Sequence, residues 1–207
     1  MVVGCGGHAK SVIDVLKLSN SYELAGYVKP FSEYICELPT VLCLGTYDDL
    51  NSILTHGILN FIVAIGDNRL RRDIFNEIMN IGLSPINAIS PNAYVSDSVD
   101  LGKGILVMHG AVINPGSTVN DNCIINTNAT IDHDCCIGSH SHICPGSVLS
   151  GSVTVNEGAL LGTGCNIMPN VSIGQWAVCG AGCTVTRDVE QYVTVVGIPA
   201  RKVGINQ

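Results

Sequence analysis

Ala129-Thr-Ile-Asp-His-Asp-Cys-Cys-Ile-Gly-Ser-His-Ser-His-Ile-Cys-Pro-Gly-Ser-Val-Leu149 carries an aliphatic residue at every sixth place, Ile131, Ile137, Ile143 and Leu149. A small residue stands two places before each: Ala129, Cys135, Ser141 and Ser147. Followed outward, the same phase runs from Val95 to Val185, sixteen places of which all but Cys179 are aliphatic. Residues two apart share one side of an extended strand, so each unit offers one small and one aliphatic side chain inward. The alternation then breaks at turn residues such as Lys103-Gly104, Pro115-Gly116, Asp121-Asn122, Pro145-Gly146 and Pro169-Asn170. A helix is excluded, because a six-residue step rotates each apolar position by about 240°. Glycine and proline also recur too often for one. Short strand, corner, short strand describes a parallel β-helix, in which neighbouring coils hydrogen-bond and bury a continuous core; at three units per coil, the repeat makes roughly five coils.

The chain has 207 residues, and 17 acidic against 10 basic residues give a net charge of −7. With no basic run, a nucleic acid or an anionic membrane is not an expected partner. Charged residues make up only 13% and mean hydropathy is +0.36, so much of the surface needs covering, and a homo-oligomer is expected. The longest apolar runs, such as Phe61 to Ile65, are too short to span a bilayer, and no charged segment followed by a long apolar core opens the chain. The expected location is cytoplasmic, with no membrane span. Cys123, Cys135, Cys165 and Cys183 occupy the small inward place of the repeat, so the ten cysteines read as reduced core residues.

Met1-Val-Val-Gly-Cys-Gly-Gly-His-Ala-Lys10 reads as a strand, a glycine turn and a helix through about Leu18, with Val12, Ile13, Val15 and Leu16 as its apolar face. Backbone N–H groups at such a helix start, unobstructed at Gly4, Gly6 and Gly7, suit an anion. The spacing falls short of the full dinucleotide fingerprint, and a plain strand-to-helix turn stands beside that reading. Phe61 to Ile65 reads as a second strand, leading into Gly66-Asp67-Asn68-Arg69 and a helix from about Leu70 to Asn80. With Tyr22 to Val28 and Val41 to Leu44, the pattern predicts a small Rossmann-like parallel α/β sheet binding its ligand beyond the strand C-terminal ends. Gly82 to Asn92 is the expected connection. The domains are therefore 1–84, α/β and ligand-binding, and 85–207, β-helix.

Six histidines are available for chemistry: His8, His56, His109, His133, His140 and His142. His133 sits at a corner between Asp132 and Asp134, where a carboxylate fixes an imidazole's tautomer and stabilises its cation, as a general base requires. The alternative is a solvated structural histidine. With eighteen residues per coil, Gly151 lies one strand spacing, roughly 4.8 Å, from His133, and its N–H is a candidate oxyanion donor. Gly151 alternatively permits a corner of positive φ. His142 points outward from a flat face, while His140 and His109 occupy corners on the other two edges and read as solvated. Histidines on three edges do not converge, so no metal is expected within one chain. A zinc site shared between subunits is the metal-based alternative.

Together these residues resemble the bacterial sugar O-acyltransferases typified by sialic acid O-acetyltransferases and amino-sugar nucleotide N-acetyltransferases. The resemblance rests on Val3 to Lys10, Val63-Ala-Ile-Gly-Asp-Asn68 with Arg72 following, Asn126 to Gly138, Ser141-His-Ile-Cys-Pro-Gly146 and Gly197-Ile-Pro-Ala200. It implies a homotrimer of left-handed β-helices with acetyl-CoA between neighbours and an N-terminal domain holding a nucleotide-linked sugar. His133 becomes the catalytic base and Asp134 its partner. His142 and Gly151 would contact the thioester end of acetyl-CoA, with Gly151 as oxyanion donor, and Gly162 and Gly180 would line the coenzyme groove. Gly6, Gly7, His8 and Gly66 would contact the nucleotide. The chain departs from the family in its early glycine turn and in Val28-Lys-Pro30, where relatives commonly carry acidic residues.

The expected activity is direct acetyl transfer from acetyl-CoA to the amine of a nucleotide-linked amino sugar. O-acetylation of sialic acid or another sugar hydroxyl, and a non-catalytic nucleotide-binding scaffold, are the alternatives. A covalent cysteine route is disfavoured, since Cys135 faces inward and Cys136, although outward, lacks an activating base.

Overall fold

The computed structural model describes residues 1–30, 36, 38, 40–55 and 57–206. Each unit of the repeat folds as a two-residue strand followed by a four-residue corner. The strands pair in parallel one coil apart, Val112 with Thr130, Thr130 with Val148, Val148 with Asn166 and Asn166 with Thr184. Three faces result. The first carries the strands from Tyr94–Val95 to Thr184–Val185, and the second those from Asp100–Leu101 to Ser172–Ile173. The third begins at Ala88–Ile89, runs through Ile124–Ile125 and His142–Ile143 to Val178–Cys179, and continues into Val193–Val196 and the antiparallel strand Arg201–Ile205. Ile113, Ile131, Ile137, Ile143 and Leu149 fill the interior and are fully buried. From Gly104 to Gly182 the third residue of each corner is left-handed, for example Gly116, Asn122, Asp134 and Gly146, which explains the glycine and asparagine in the turns.

The repeat begins one unit earlier than the sequence suggests, at Ile89, six places before Val95. The expected linker therefore contains a strand of each sheet system, Ser84–Pro85 and Ala88–Ile89.

In the N-terminal part, β1 (Val2–Val3), α1 (Gly7–Ser19), β2 (Tyr27–Lys29), β3 (Cys43–Thr46), α2 (Leu50–Leu54), β4 (Asn60–Val63), α3 (Asn68–Asn80) and β5 (Ser84–Pro85) follow in order. The parallel sheet runs β3-β2-β1-β4-β5. Although β1 has two residues, it is central: Val2 pairs with Tyr27 and Ile62, Val3 with Val28 and Val63. α1 is buried on two sides, since Ala9, Val12, Ile13, Val15 and Leu16 share one core with Val2 and Ile62 of the sheet and with Leu106, Met108 and Ile124 of the third face. The sheet thus rests on the β-helix through α1. α3 adds a second attachment at the edge between the second and third faces, where Phe75 meets the His140 ring. Among the described residues no helix is long and apolar enough to cross a membrane.

The cysteine expectation needs correcting. Cys123, Cys135, Cys165, Cys179 and Cys183 are buried in the coil, but Cys43 and Cys136 are exposed, and Cys5 forms a disulfide with Cys36. Cys5 belongs to the glycine turn, where it meets the chain between β2 and β3; the hexad phase carries no information about that meeting. A crosslink across 31 residues stabilises mainly by restricting the unfolded chain, by roughly 3 to 4 kcal/mol. Chemical denaturation with and without dithiothreitol should show a loss of that order for the wild type and none for Cys36→Ser. Indifference of the wild type to reductant contradicts the pairing.

Candidate active site

Two clusters of chemistry-bearing residues emerge. The first lies beyond the C-terminal ends of β1 and β4, where the strand order reverses, the usual ligand position in such sheets. A cavity of about 310 Å³ there is lined by Gly4, Gly6, Gly7, His8, Gly66 and Asp67, among others. Gly4 has φ +123°, and a Cβ on it would stand 2.7 Å from the Ala64 carbonyl oxygen, so the turn excludes any side chain at that place. Gly6 caps α1 without a side-chain hydrogen bond, leaving first-turn N–H groups toward the cavity. Asp67 caps α3 by accepting the Leu70 N–H at 2.8 Å. Pro30 also lines the cavity.

The second cluster occupies the corner between the first and second faces. His133 Nδ1 lies 2.8 Å from Asp134 Oδ2. A carboxylate only accepts, so Nδ1 carries the proton and Nε2 presents its lone pair outward. Both side chains are mostly exposed. The Asp134 hydrogen bond, reinforced by the Asp132 charge, raises the His133 pKa above its ordinary value. Asp132 accepts the His133 N–H at 2.8 Å and an Asn114 N–H at 3.1 Å, which hold its own pKa down.

Gly151 lies directly beneath this imidazole. A Cβ there would come within 2.6 Å of both Cε1 and Nε2 of His133. Glycine is needed for this close approach and not for positive φ, because the left-handed place in that corner belongs to Ser152, at φ +60°. In the same stack of corner places proline stands at 115, one coil before His133, and at 169, one coil after Gly151, and among the described residues the Gly151 N–H has no backbone acceptor.

The remaining histidines follow the covering of the third face. His142 points outward from its strand, as expected, but lies under the N-terminal domain and is 8% exposed. Its Nε2 accepts from Asn126 Nδ2 at 3.0 Å, placing the proton on Nδ1, which is buried toward the Gly66 backbone without a well-formed hydrogen bond, and Nε2 of His8 is likewise buried without a partner. The two rings are 6.3 Å apart. Burial first, then the Arg71 charge, lowers the pKa of His8 to about 4; the same causes, joined by His8, lower that of His142 to about 3. The solvated reading of the other two corner histidines is overturned for His140 and only in part for His109, whose side chain is 28% exposed. His140 is buried and meets Asn122 Nδ2 at 2.9 Å, while His109 bridges Ser90 Oγ at 2.6 Å and Asp14 of α1 at 3.1 Å. Their edges flank the covered face. His56 lies outside the described residues.

Within the chain, therefore, Gly6, Gly7, His8, Gly66 and His142 gather on the third face, and His133, Asp134 and Gly151 gather on the edge opposite to it. Gly162 and Gly180 lie on the edge between the third and first faces, one coil apart. A Cβ at Gly162 would strike the Ala181 nitrogen at 2.7 Å, so this glycine also serves coil packing. Cys135 is buried, which raises its thiol pKa and disfavours it as a nucleophile. Sequence reasoning missed Arg71 and Asn122. The available signal was the apolar stripe of α3, where Arg71 stands in line with Ile74, Phe75 and Ile78, all buried.

The N-terminal part, residues 1–78, matches the family model described as the PglD N-terminal domain. Along 98% of its length the chain superposes on 95% of perosamine N-acetyltransferase from Caulobacter crescentus, solved as a histidine variant with CoA and GDP-perosamine, with TM-score 0.94 and 40% identity. The chain belongs to the sugar acetyltransferase family. Another similar structure is the acetyltransferase domain of PglB from Neisseria gonorrhoeae with acetyl coenzyme A, at TM-score 0.90 and 34% identity, covering 98% of this chain and 97% of that one. A GDP-perosamine N-acetyltransferase from Escherichia coli is 33% identical over 147 residues, covering 69% of this chain and 66% of that enzyme. Other curated relatives are matched over 50 to 65% of their length, as with a 2,3,4,5-tetrahydropyridine-2,6-dicarboxylate N-acetyltransferase from Halalkalibacterium halodurans, 40% identical and covered to 50%.

For this sugar acetyltransferase the histidine environments give two titration results. His8 and His142 fold as neutral rings, so their stabilisation is full above the unfolded value of about 6.5 and falls as pH drops toward about 4 and 3. Denaturation midpoints measured across that window should decline with acid, and less steeply in His142→Gln. For His133, NMR titration should give a pKa above 6.5 that Asp134→Asn lowers; an unmoved value rules out the hydrogen bond as its cause.

Proposed function

We propose that the protein transfers an acetyl group from acetyl-CoA to the amino group of a nucleotide-linked amino sugar. The observation that carries the reading is the His133–Asp134 pair standing on Gly151, a polarised base beside a free backbone donor. The sugar amine attacks the thioester carbonyl while His133 Nε2 takes its proton. Gly151 N–H steadies the tetrahedral oxyanion. Collapse breaks the carbon–sulfur bond, and the thiolate of CoA receives the proton from the imidazolium, giving amide and free thiol.

The cavity between the glycine turns is the place of the nucleotide: the first turn of α1 offers its N–H groups to the diphosphate, and Gly6, Gly7, His8 and Gly66 form the contacts. Its dimensions and anion-binding character support a nucleotide-linked acceptor over a free sugar. The relatives solved with GDP-perosamine and with acetyl coenzyme A support the same two substrates.

The cavity and His133 stand on opposite sides of one coil, so we assemble the site from neighbouring copies, His133, Asp134 and Gly151 of one beside the N-terminal domain of the next. A homotrimer of left-handed coils closes this head-to-tail arrangement. The acetyl-CoA chain then lies between copies, its thioester near Gly151 and near the next copy's His142, with Gly162 and Gly180 along the groove. Residues 1–84 form the nucleotide domain and 85–207 the transferase domain. The setting is cytoplasmic, where acetyl-CoA and sugar nucleotides occur together.

The test is incubation with acetyl-CoA and a panel of nucleotide-linked amino sugars plus free sialic acid, following thiol release and product mass. Acetylation of a nucleotide-linked amine is expected, and His133→Ala should lower turnover by about 10²–10⁴. Acetylation of sialic acid alone replaces the acceptor with a sugar hydroxyl. Near-normal turnover in the variant removes His133 as base.

A further inference from the structure

Arg71 is a buried cation without a buried anion. It projects from the apolar stripe of α3 and is 1% exposed. All five of its N–H groups are used, and every acceptor is a neutral backbone carbonyl. Nη1 donates to Ile65 and Gly66 at 3.1 and 3.2 Å, Nε to Asn122 at 3.2 Å, and Nη2 to His140 and Ser141 at 2.7 and 3.4 Å. Two of these acceptors belong to the wall of the nucleotide cavity and three to corners of the β-helix. Among the described residues no carboxylate lies within ion-pair distance. Asp67, the one carboxylate whose field reaches the guanidinium, is engaged in capping α3.

Five hydrogen bonds satisfy the donors but leave the charge uncompensated, and an ion taken out of water costs several kcal/mol unless other charges offset it. Apart from its hydrogen bonds, this ion gains most from an anion that arrives in the adjoining cavity. We propose that Arg71 is a positioning residue for the sugar nucleotide: it joins the Ile65–Gly66 wall of the cavity to the corner leading into His142, and its charge acts through that wall on the diphosphate. This rests on the proposed function. The guanidinium has no free N–H to offer, so it touches no substrate atom; it sets where the wall stands and favours a dianion in front of it. The same charge opposes protonation of His8 and His142, which keeps both rings as neutral hydrogen-bonding groups beside the cavity.

The experiment compares wild type, Arg71→Lys and Arg71→Met for binding of UDP and GDP against their uncharged nucleosides, and for the separate KM values of sugar nucleotide and acetyl-CoA. Loss of diphosphate affinity by about tenfold or more in Arg71→Met is expected, with nucleoside affinity within about twofold, a partial return in Arg71→Lys and an unmoved KM for acetyl-CoA. A merely structural arginine would weaken nucleoside and diphosphate alike, or move both KM values together, and either result overturns the proposal. If neither variant folds, the wild type decides through ionic strength. An internal charge is weakly screened, so diphosphate affinity should fall less than about threefold between about 0.05 and 0.5 M salt; a fall above about tenfold assigns the attraction to surface cations. A wild type that binds neither diphosphate overturns the proposed function itself, whereas diphosphate binding with unchanged selectivity in the variants overturns only the role of Arg71.

Discussion

The guanidinium of Arg71, enclosed by five carbonyl oxygens from three stretches of chain, is the constraint on which the arrangement of the two domains depends. A carbonyl buried without a donor costs about 1–3 kcal/mol, so moving α3 away from the coil would strand several at once. Neighbouring contacts share this dependence. Asn122 donates to the Arg71 carbonyl at 3.3 Å while meeting His140, and Asn68 donates to Gly158 and Ala159 at 3.0 and 3.2 Å. Outside them, Arg69 and Arg72 place their guanidinium carbons 4.9 and 4.8 Å from the centre of the Trp176 ring. The apolar packing of α1 provides area, while this polar seam provides register.

Register matters because the chemistry is distributed over separate edges of a rigid prism. Hydrogen bonding between coils fixes Gly151 below His133, and the left-handed corner at Asp134 turns its carboxylate back toward Nδ1. On the opposite side, the seam fixes the cavity relative to His142. Neither device flexes readily, since corner and strand alternate every six residues and the interior is filled by side chains without exposure. In the proposed assembly such a chain brings base and acceptor together by docking rigid surfaces, a role that suits an exterior with few charges.

The β-helix was legible in the sequence because its period is local: each unit repeats the same demand for one small and one aliphatic inward residue, and Ile131, Ile137 and Ile143 state it without reference to distant chain. The His133 corner was legible for the same reason, since a coil of eighteen residues places Gly151 beneath it. What a periodic reading cannot convey is which face another domain covers. His140 and His109 read as solvated because corners of an isolated prism are wet; α3 covers the first and α1 partly covers the second. The Cys5–Cys36 pairing and the five carbonyls around Arg71 are likewise long-range coincidences of unrelated segments. An arginine on an apolar helical stripe was the available sign that one such coincidence existed.

The most direct test of a site shared between copies is complementation. One variant, His133→Ala, keeps an intact cavity; the other, Gly7→Asp, adds a carboxylate at the α1 start, where nothing lies within 4 Å of the new Cβ, and repels a diphosphate while leaving His133 untouched. Each alone should be nearly inactive. After subunit exchange at equal amounts, about a quarter of head-to-tail interfaces unite an intact His133 with an intact cavity, and acetyl transfer should recover toward that fraction of wild type. Mixed oligomers that form yet remain as inactive as their parents would contradict the shared site and return both functions to a single chain.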